Sequence, residues 1–148
     1  MSETKELLEF FALSNVKFEK VLIKEHPLFP VSSIIQSIKD FPPYEILKVS
    51  VENAFNYSDI VYTANGSSVL LESVVKNKHT ISLISLASLP IPAVSRATNL
   101  YFVKDVTSLK NILNKLSNNI ENFTTDETID NHLYVDDELK LWRKFLNK

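Results

Sequence analysis

Lys24-Glu25-His26-Pro27 sets a cation and an imidazole side by side at the end of a short β-prone run, Lys20-Val21-Leu22-Ile23. Proline fixes a backbone turn, and histidine can donate to a phosphate oxygen at neutral pH or titrate near it. A second combination, Asn65-Gly66-Ser67-Ser68, holds the only glycine of the chain and lies between an apolar run and a helical one. Free N–H groups and the positive end of a helix dipole make such a junction a natural anion site, and two hydroxyls add donors. Glu72, one turn into the following helix, is placed to accept hydrogen bonds from a ribose diol. The same residues also suit purely structural duties. His26 can cap a loop beside a solvated Lys24, Gly66 and the serines can make a turn with an N-cap, and Glu72 is a favourable acidic residue near a helix start.

Other chemistry-bearing residues are less well placed. His79 opens a strand and reads as a packing residue, and His132 has no second histidine at metal spacing. Asp136-Asp137-Glu138 directly precedes the amphipathic segment Leu139–Leu146 and reads as a helix cap, while Arg96 in a proline-containing loop reads as a surface arginine.

Composition narrows what these residues can belong to. The chain has 148 residues, 45% hydrophobic and 23% charged, with a net charge of -2, which is ordinary for one globular domain and unlike a polycation that coats nucleic acid. With no cysteine, disulfides, thiolate metal sites, iron–sulfur clusters and a cysteine nucleophile are all excluded. One glycine cannot furnish a dinucleotide fingerprint, a Walker A loop or a kinase glycine loop, each of which needs several. The opening MSETKELLEFF is acidic and amphipathic and does not read as a secretory signal. The longest apolar stretch, from Ile81, is broken by serines and two prolines and is too short to span a bilayer, so a cytoplasmic protein is expected.

The elements that position the two loops follow from periodicity. Leu7, Leu8, Phe11 and Ala12 recur at helical spacing after acidic Glu3 and Glu6. After the Lys20–Ile23 strand come a short helix over roughly Val31 to Ile38, a Phe41-Pro42-Pro43 turn, a strand Ile46–Val49 and a brief helix capped by Ser50 and carrying Ala54 and Phe55. Asp59–Ala64 reads as a buried strand, Val69–Lys76 as a helix, Thr80–Ile84 and Leu100–Val103 as strands. Leu109, Ile112, Leu113 and Leu116 form the apolar face of a helix opened by Thr107 or Ser108. Short apolar strands alternating with helices predict an α/β fold: a Rossmann-like parallel sheet with helices on both faces in a single domain over residues 1–120. Residues 121–148 then form a polar linker and a C-terminal amphipathic helix, with Leu139, Trp142, Phe145 and Leu146 on one face, packing back on the domain. In such sheets ligands bind outside the carboxyl ends of the strands, where both loops lie, and the two are expected to open on one edge.

Together the two loops resemble the paired motifs of bacterial capsule and surface-polysaccharide glycosyltransferases. The resemblance is to the C-terminal, donor-binding half of GT-B enzymes such as the bacterial sialyl- and polysialyltransferases. That group has a K-x-H-P loop, an acidic residue with an apolar strand, then S-S or N-S-S with a following glutamate. Here the pieces are KEHP from Lys24, SDIVYTANGSS ending at Ser68 and VLLE ending at Glu72. The tail YVDDELKLWRKFL is similar to the closing helix of these proteins, so the likeness runs from about Lys20 to Leu146.

The resemblance implies that His26 contacts the donor phosphate as the catalytic residue. Ser67 and Ser68 would hold phosphate or nucleotide oxygens, Glu72 the ribose, and Lys24, Pro27, Asn65 and Gly66 would complete the substrate-binding set. Preorganised donors stabilise the charge that develops on a departing phosphate without a metal, so no metal or cofactor is expected. The implied ligand is a nucleotide sugar, with cytidine nucleotides the first candidates. The N-terminal lobe that carries the acceptor and the general base in these enzymes has no counterpart here. A missing lobe or partner chain is therefore expected, along with peripheral association at the inner membrane and no nucleic acid. A non-catalytic Rossmann-like interaction domain is the competing reading. A response-regulator domain would need clustered acidic residues after the first strand, where Lys24-Glu25-His26 stands instead.

Overall fold

The computed structural model describes residues 3–84 and 97–119. The first helix, α1, spans Glu3–Ser14 with Glu3 and Glu6 in its first turn, where negative charge opposes the positive end of the helix dipole. It ends at Asn15, whose φ of 51° lies in the left-handed region. A chain with one glycine must end its helices by other means, and asparagine tolerates that region best among the remaining residues.

Two parallel sheets follow. Strands β1 (Leu22–Ile23) and β2 (Glu45–Ile46) pair with Leu22 opposite Glu45, joined by the short helix α2 (Ser32–Gln36). Next comes α3 (Val51–Ala54), where the Ser50 hydroxyl accepts a hydrogen bond from the Asn53 N–H, and then a 3-10 turn over Phe55–Tyr57. Strands β3 (Ile60–Ala64), β4 (His79–Leu83) and β5 (Leu100–Val103) form the second sheet in that spatial order. Helix α4 (Ser68–Val75) crosses from β3 to β4, and α5 (Val106–Asn119) follows β5.

Side chains alternate across the second sheet and so build two cores. Ile60, Tyr62, Ile81, Leu83, Tyr101 and Val103 pack with Leu7, Phe10 and Phe11 of α1 and Leu109, Leu113 and Leu116 of α5. Leu100 and Phe102 pack with Leu70, Leu71 and Val74 of α4 on the opposite face. Helices therefore cover both faces of a parallel sheet, in the Rossmann-like α/β manner. A third core joins Leu8 of α1 to Val31, Ile35, Ile23 and Phe41, so α1 packs on both sheets. Phe11 makes the same bridge with its ring, 6.2 Å from Tyr62 on β3 and 6.1 Å from Phe41 ahead of β2.

The predicted elements that fall within the described residues are present, with three differences. The expected single sheet is two, and among the described residues β1 pairs only with β2. The expected strands Lys20–Ile23 and Ile46–Val49 shrink to two residues each, because a two-stranded ladder offers few partners to extend them. Strand β3 is only half-buried, since it lies at the edge of its sheet, whereas the central β4 is buried at four of five positions. The expected C-terminal amphipathic helix lies outside the described residues.

Candidate functional site

The histidine loop leaves the carboxyl end of β1 and is closed by its own side chains. The His26 carbonyl accepts the Phe29 N–H at 3.0 Å, and His26 Nδ1 accepts the Leu28 N–H at 3.2 Å. The His26 and Phe29 rings lie 5.2 Å apart. An Nδ1 that accepts carries no proton, so the neutral imidazole is the tautomer with its hydrogen on Nε2. That leaves an exposed Nε2–H donor, which suits a phosphate oxygen.

Lys24 and Glu25 behave differently from a simple cationic loop. Lys24 Nζ donates to the Glu25 carbonyl at 3.0 Å and is half-buried. Glu25 was not singled out from the sequence, yet its Oε2 accepts the Val31 N–H at 3.0 Å and ties the far end of the loop to the near one. Val31 precedes α2 and has no side-chain cap of its own, and the glutamate six residues before it satisfies its N–H instead. Pro27 is exposed beside Leu28 and Phe29, which are 77% and 69% exposed.

The glycine–serine turn leaves the carboxyl end of β3. The Ser67 N–H returns to the Ala64 carbonyl at 3.2 Å, closing a turn around Asn65 and Gly66. Ser67 is the N-cap of α4, its hydroxyl accepting the Val69 N–H at 3.3 Å, and its carbonyl takes the Leu70 N–H. Ser68 and Glu72 are exposed. Asn65 is fully buried, and the Ser82 hydroxyl donates to its Oδ1 at 3.4 Å, so this side chain braces β3 against β4. Gly66 has no positive φ, and a Cβ there would meet nothing within 4 Å. The turn itself therefore does not require glycine.

Behind the turn, small polar residues fill the contact between α4 and the sheet. Thr80 Oγ1 donates to Ser73 Oγ at 2.8 Å, and Ser73 Oγ donates to the Leu70 carbonyl. At the far end of α4, Lys78 N–H reaches the Ser73 carbonyl and Asn77 N–H the Val74 carbonyl, with Asn77 at φ 55°. This is the paired hydrogen bonding of a Schellman C-cap, built on asparagine. Asn99 Nδ2 bridges the Val74 and Lys78 carbonyls and locks the same corner to β5. These bonds fasten α4 to the sheet, and with it the turn that precedes the helix.

Two tyrosines and a histidine are shifted by burial, away from both loops. Burial, assisted by the Glu6 charge, pushes the Tyr62 phenol far above its ordinary range, and burial alone raises Tyr101. His79 is held below its usual value by burial, with Asp59 opposing. Each loop follows the carboxyl end of its own parallel strand, but the two strands belong to separate sheets. Among the described residues no cluster of three or more histidine or acidic side chains could hold a metal ion, and no helix is long and apolar enough to cross a membrane.

The arrangement defines an α/β protein of parallel sheets with two candidate anion-binding loops. No family model matches the chain, and neither a curated protein nor a solved structure matches it.

Proposed function

We propose that this chain is the donor-binding module of a glycosyltransferase of surface carbohydrate or capsular polysaccharide synthesis, one half of a GT-B enzyme. It binds a nucleotide sugar, cytidine-based in the first instance, and pairs with a separate acceptor-binding lobe that carries the general base. It works on the cytoplasmic side, as a peripheral protein at the inner membrane. His26 Nε2–H donates to the departing phosphate. The turn at Gly66–Ser68 and the start of α4 hold phosphate oxygens, and Glu72 accepts from the ribose. The observation that carries the reading is the tautomer of His26: its Nδ1 is committed to the Leu28 N–H, which leaves Nε2–H as a donor at the carboxyl end of a parallel strand. The KEHP and NGSS motifs supply the rest of the support.

The test is an NMR titration of the chain with cytidine and other nucleotides. Resonances at Lys24–Pro27 and Asn65–Glu72 move together, with a dissociation constant around the millimolar level, about 4 kcal/mol, because one lobe supplies only part of the contacts. If neither loop moves, the reading fails.

A second reading is favoured by three observations at the glycine–serine turn. The buried Asn65, the Ser67 cap and a Gly66 that its turn does not need all make sense as features of stability alone. In that case the chain is a non-catalytic Rossmann-like interaction domain, and the titration gives no shifts at either loop.

A further inference from the structure

We propose that Asn65-Gly66 is a deamidation site held back by the fold: in the closed turn the Asn65 carboxamide is bound to β4, and only its release lets the Gly66 nitrogen attack it. The proposal does not depend on donor binding.

The dipeptide places an electrophile directly before its nucleophile. A glycine nitrogen has no Cβ beside it to shield it, and asparagine is a thermolabile residue because its side-chain amide can close a ring onto the next backbone nitrogen. With one glycine in the chain, this pairing occurs once, and every other asparagine precedes a residue that carries a side chain. Nothing in the backbone accounts for the glycine, since Gly66 has no positive φ and a Cβ there would meet nothing within 4 Å.

The chemistry needs only water and hydroxide. Hydroxide takes the Gly66 N–H proton, the nitrogen bonds to Asn65 Cγ, the Cγ–Nδ2 bond breaks, and Nδ2 leaves as ammonia with a proton from water. Water then opens the cyclic imide by adding to one carbonyl carbon and breaking its bond to nitrogen. Opening at Cγ gives aspartate, and opening at the main-chain carbonyl gives isoaspartate, whose backbone runs through Cβ.

The structure keeps the two reacting groups in different surroundings. Gly66 is exposed, whereas Asn65 is 0% exposed. The Ser82 hydroxyl donates to Asn65 Oδ1 at 3.4 Å and the Asn65 N–H donates to the Leu83 carbonyl at 3.2 Å, so side chain and backbone are both tied to β4. Ring closure requires the carboxamide to leave Ser82. The product does not fit back: aspartate brings a charge to a position without exposure, and isoaspartate lengthens the connection between β3 and α4. Each opening that ends in reaction is therefore permanent, and the accumulated product records how often the turn opens.

The experiment is peptide mapping by mass spectrometry of the full chain kept in mildly alkaline buffer, with and without urea and without nucleotide. Asn65 converts at least about tenfold faster in urea than in the folded chain, and Gly66→Ala slows the rate in urea several-fold. In the folded state Ser82→Ala raises the rate by about threefold to tenfold, which corresponds to one hydrogen bond lost. Ile35→Val, in the third core, lowers global stability to a similar extent and leaves the rate unchanged. Amide exchange of the Asn65 N–H in the wild type supplies a measure that needs no variant: its opening population multiplied by the rate in urea gives the folded rate. The proposal is overturned if Asn65 converts as fast folded as in urea, or stays intact in urea. It is also overturned if Ser82→Ala and Ile35→Val change the rate alike, or if the folded rate exceeds what the opening population allows.

Discussion

The Leu28 N–H donates to His26 Nδ1 at 3.2 Å, so one residue both closes the turn and fixes which ring nitrogen carries the hydrogen. The loop's shape and its chemistry are thereby separable by substitution. His26→Asn supplies an oxygen near the place of Nδ1 and keeps the turn, but has no group in the place of Nε2. His26→Ala loses both. Both variants are expected to weaken nucleotide binding by about tenfold to a hundredfold, the worth of one hydrogen bond to a charged acceptor. Only His26→Ala should also broaden or shift the Leu28 and Phe29 amide resonances in the free protein. Equal binding by His26→Asn and wild type would remove the imidazole from the site.

Gly66 separates folding from binding in the same way. Its φ is not positive and a Cβ would meet no neighbour within 4 Å, so Gly66→Ala should leave stability within about 0.5 kcal/mol by urea titration, or raise it slightly through the unfolded chain. If a phosphate sits against this backbone, the same variant binds nucleotide several-fold more weakly. A large loss of stability would mean that the turn samples a conformation that only glycine allows.

The order and type of the elements could be read from apolar spacing, because strands in a covered parallel sheet and amphipathic helices each leave a periodic trace. Ser50 and the residues around Ser67 were legible as caps for a similar local reason. What was not legible depends on contacts far apart in sequence. That Leu8 and Phe11 of α1 tie two sheets together follows from packing against Ile35, Phe41 and Tyr62, and no periodicity encodes such partners. Glu25 was not singled out in the sequence, because its bond to the Val31 N–H exists only once the loop is closed. Asn65 looked like a surface turn residue but is buried, because the strand alternation that places Thr63 against α4 carries on to the next residue of the same parity and meets Ser82.

Tyr62 offers a test of the α1–β3 contact. Its hydroxyl is buried and makes no hydrogen bond among the described residues, while its ring lies 6.2 Å from Phe11. A buried hydroxyl without a partner costs about 1–3 kcal/mol, so removing the oxygen alone should be favourable. Tyr62→Phe is expected to raise stability by about 1 kcal/mol and the melting temperature by roughly 3–5 °C. A destabilised variant would show that the hydroxyl has a partner in solution, and Glu6 is the charged group that acts on it.

His79 gives the fold a pH dependence of definite sign. Burial lowers its pKa in the folded chain, against a weaker opposing effect of Asp59, while the unfolded chain has the ordinary value of about 6.5. Between those two values the unfolded state binds more protons than the folded one. Stability therefore rises with pH through this window, is complete above about 6.5, and is lost as pH falls below it. Most carboxylates titrate lower, and Asp105 lower still because Ser108 hydrogen-bonds its charged form, so they do not dominate the upper part of the window. The residue is only half-buried, and solvent screening keeps the effect modest. His79→Phe retains a ring beside Tyr101, whose centroid is 6.2 Å away, and removes the titration. Urea midpoints measured at pH 7.5, 6.5 and 5.5 should fall toward acid for the wild type and more shallowly for the variant. Parallel slopes in the two proteins would mean that the acid sensitivity arises elsewhere in the chain.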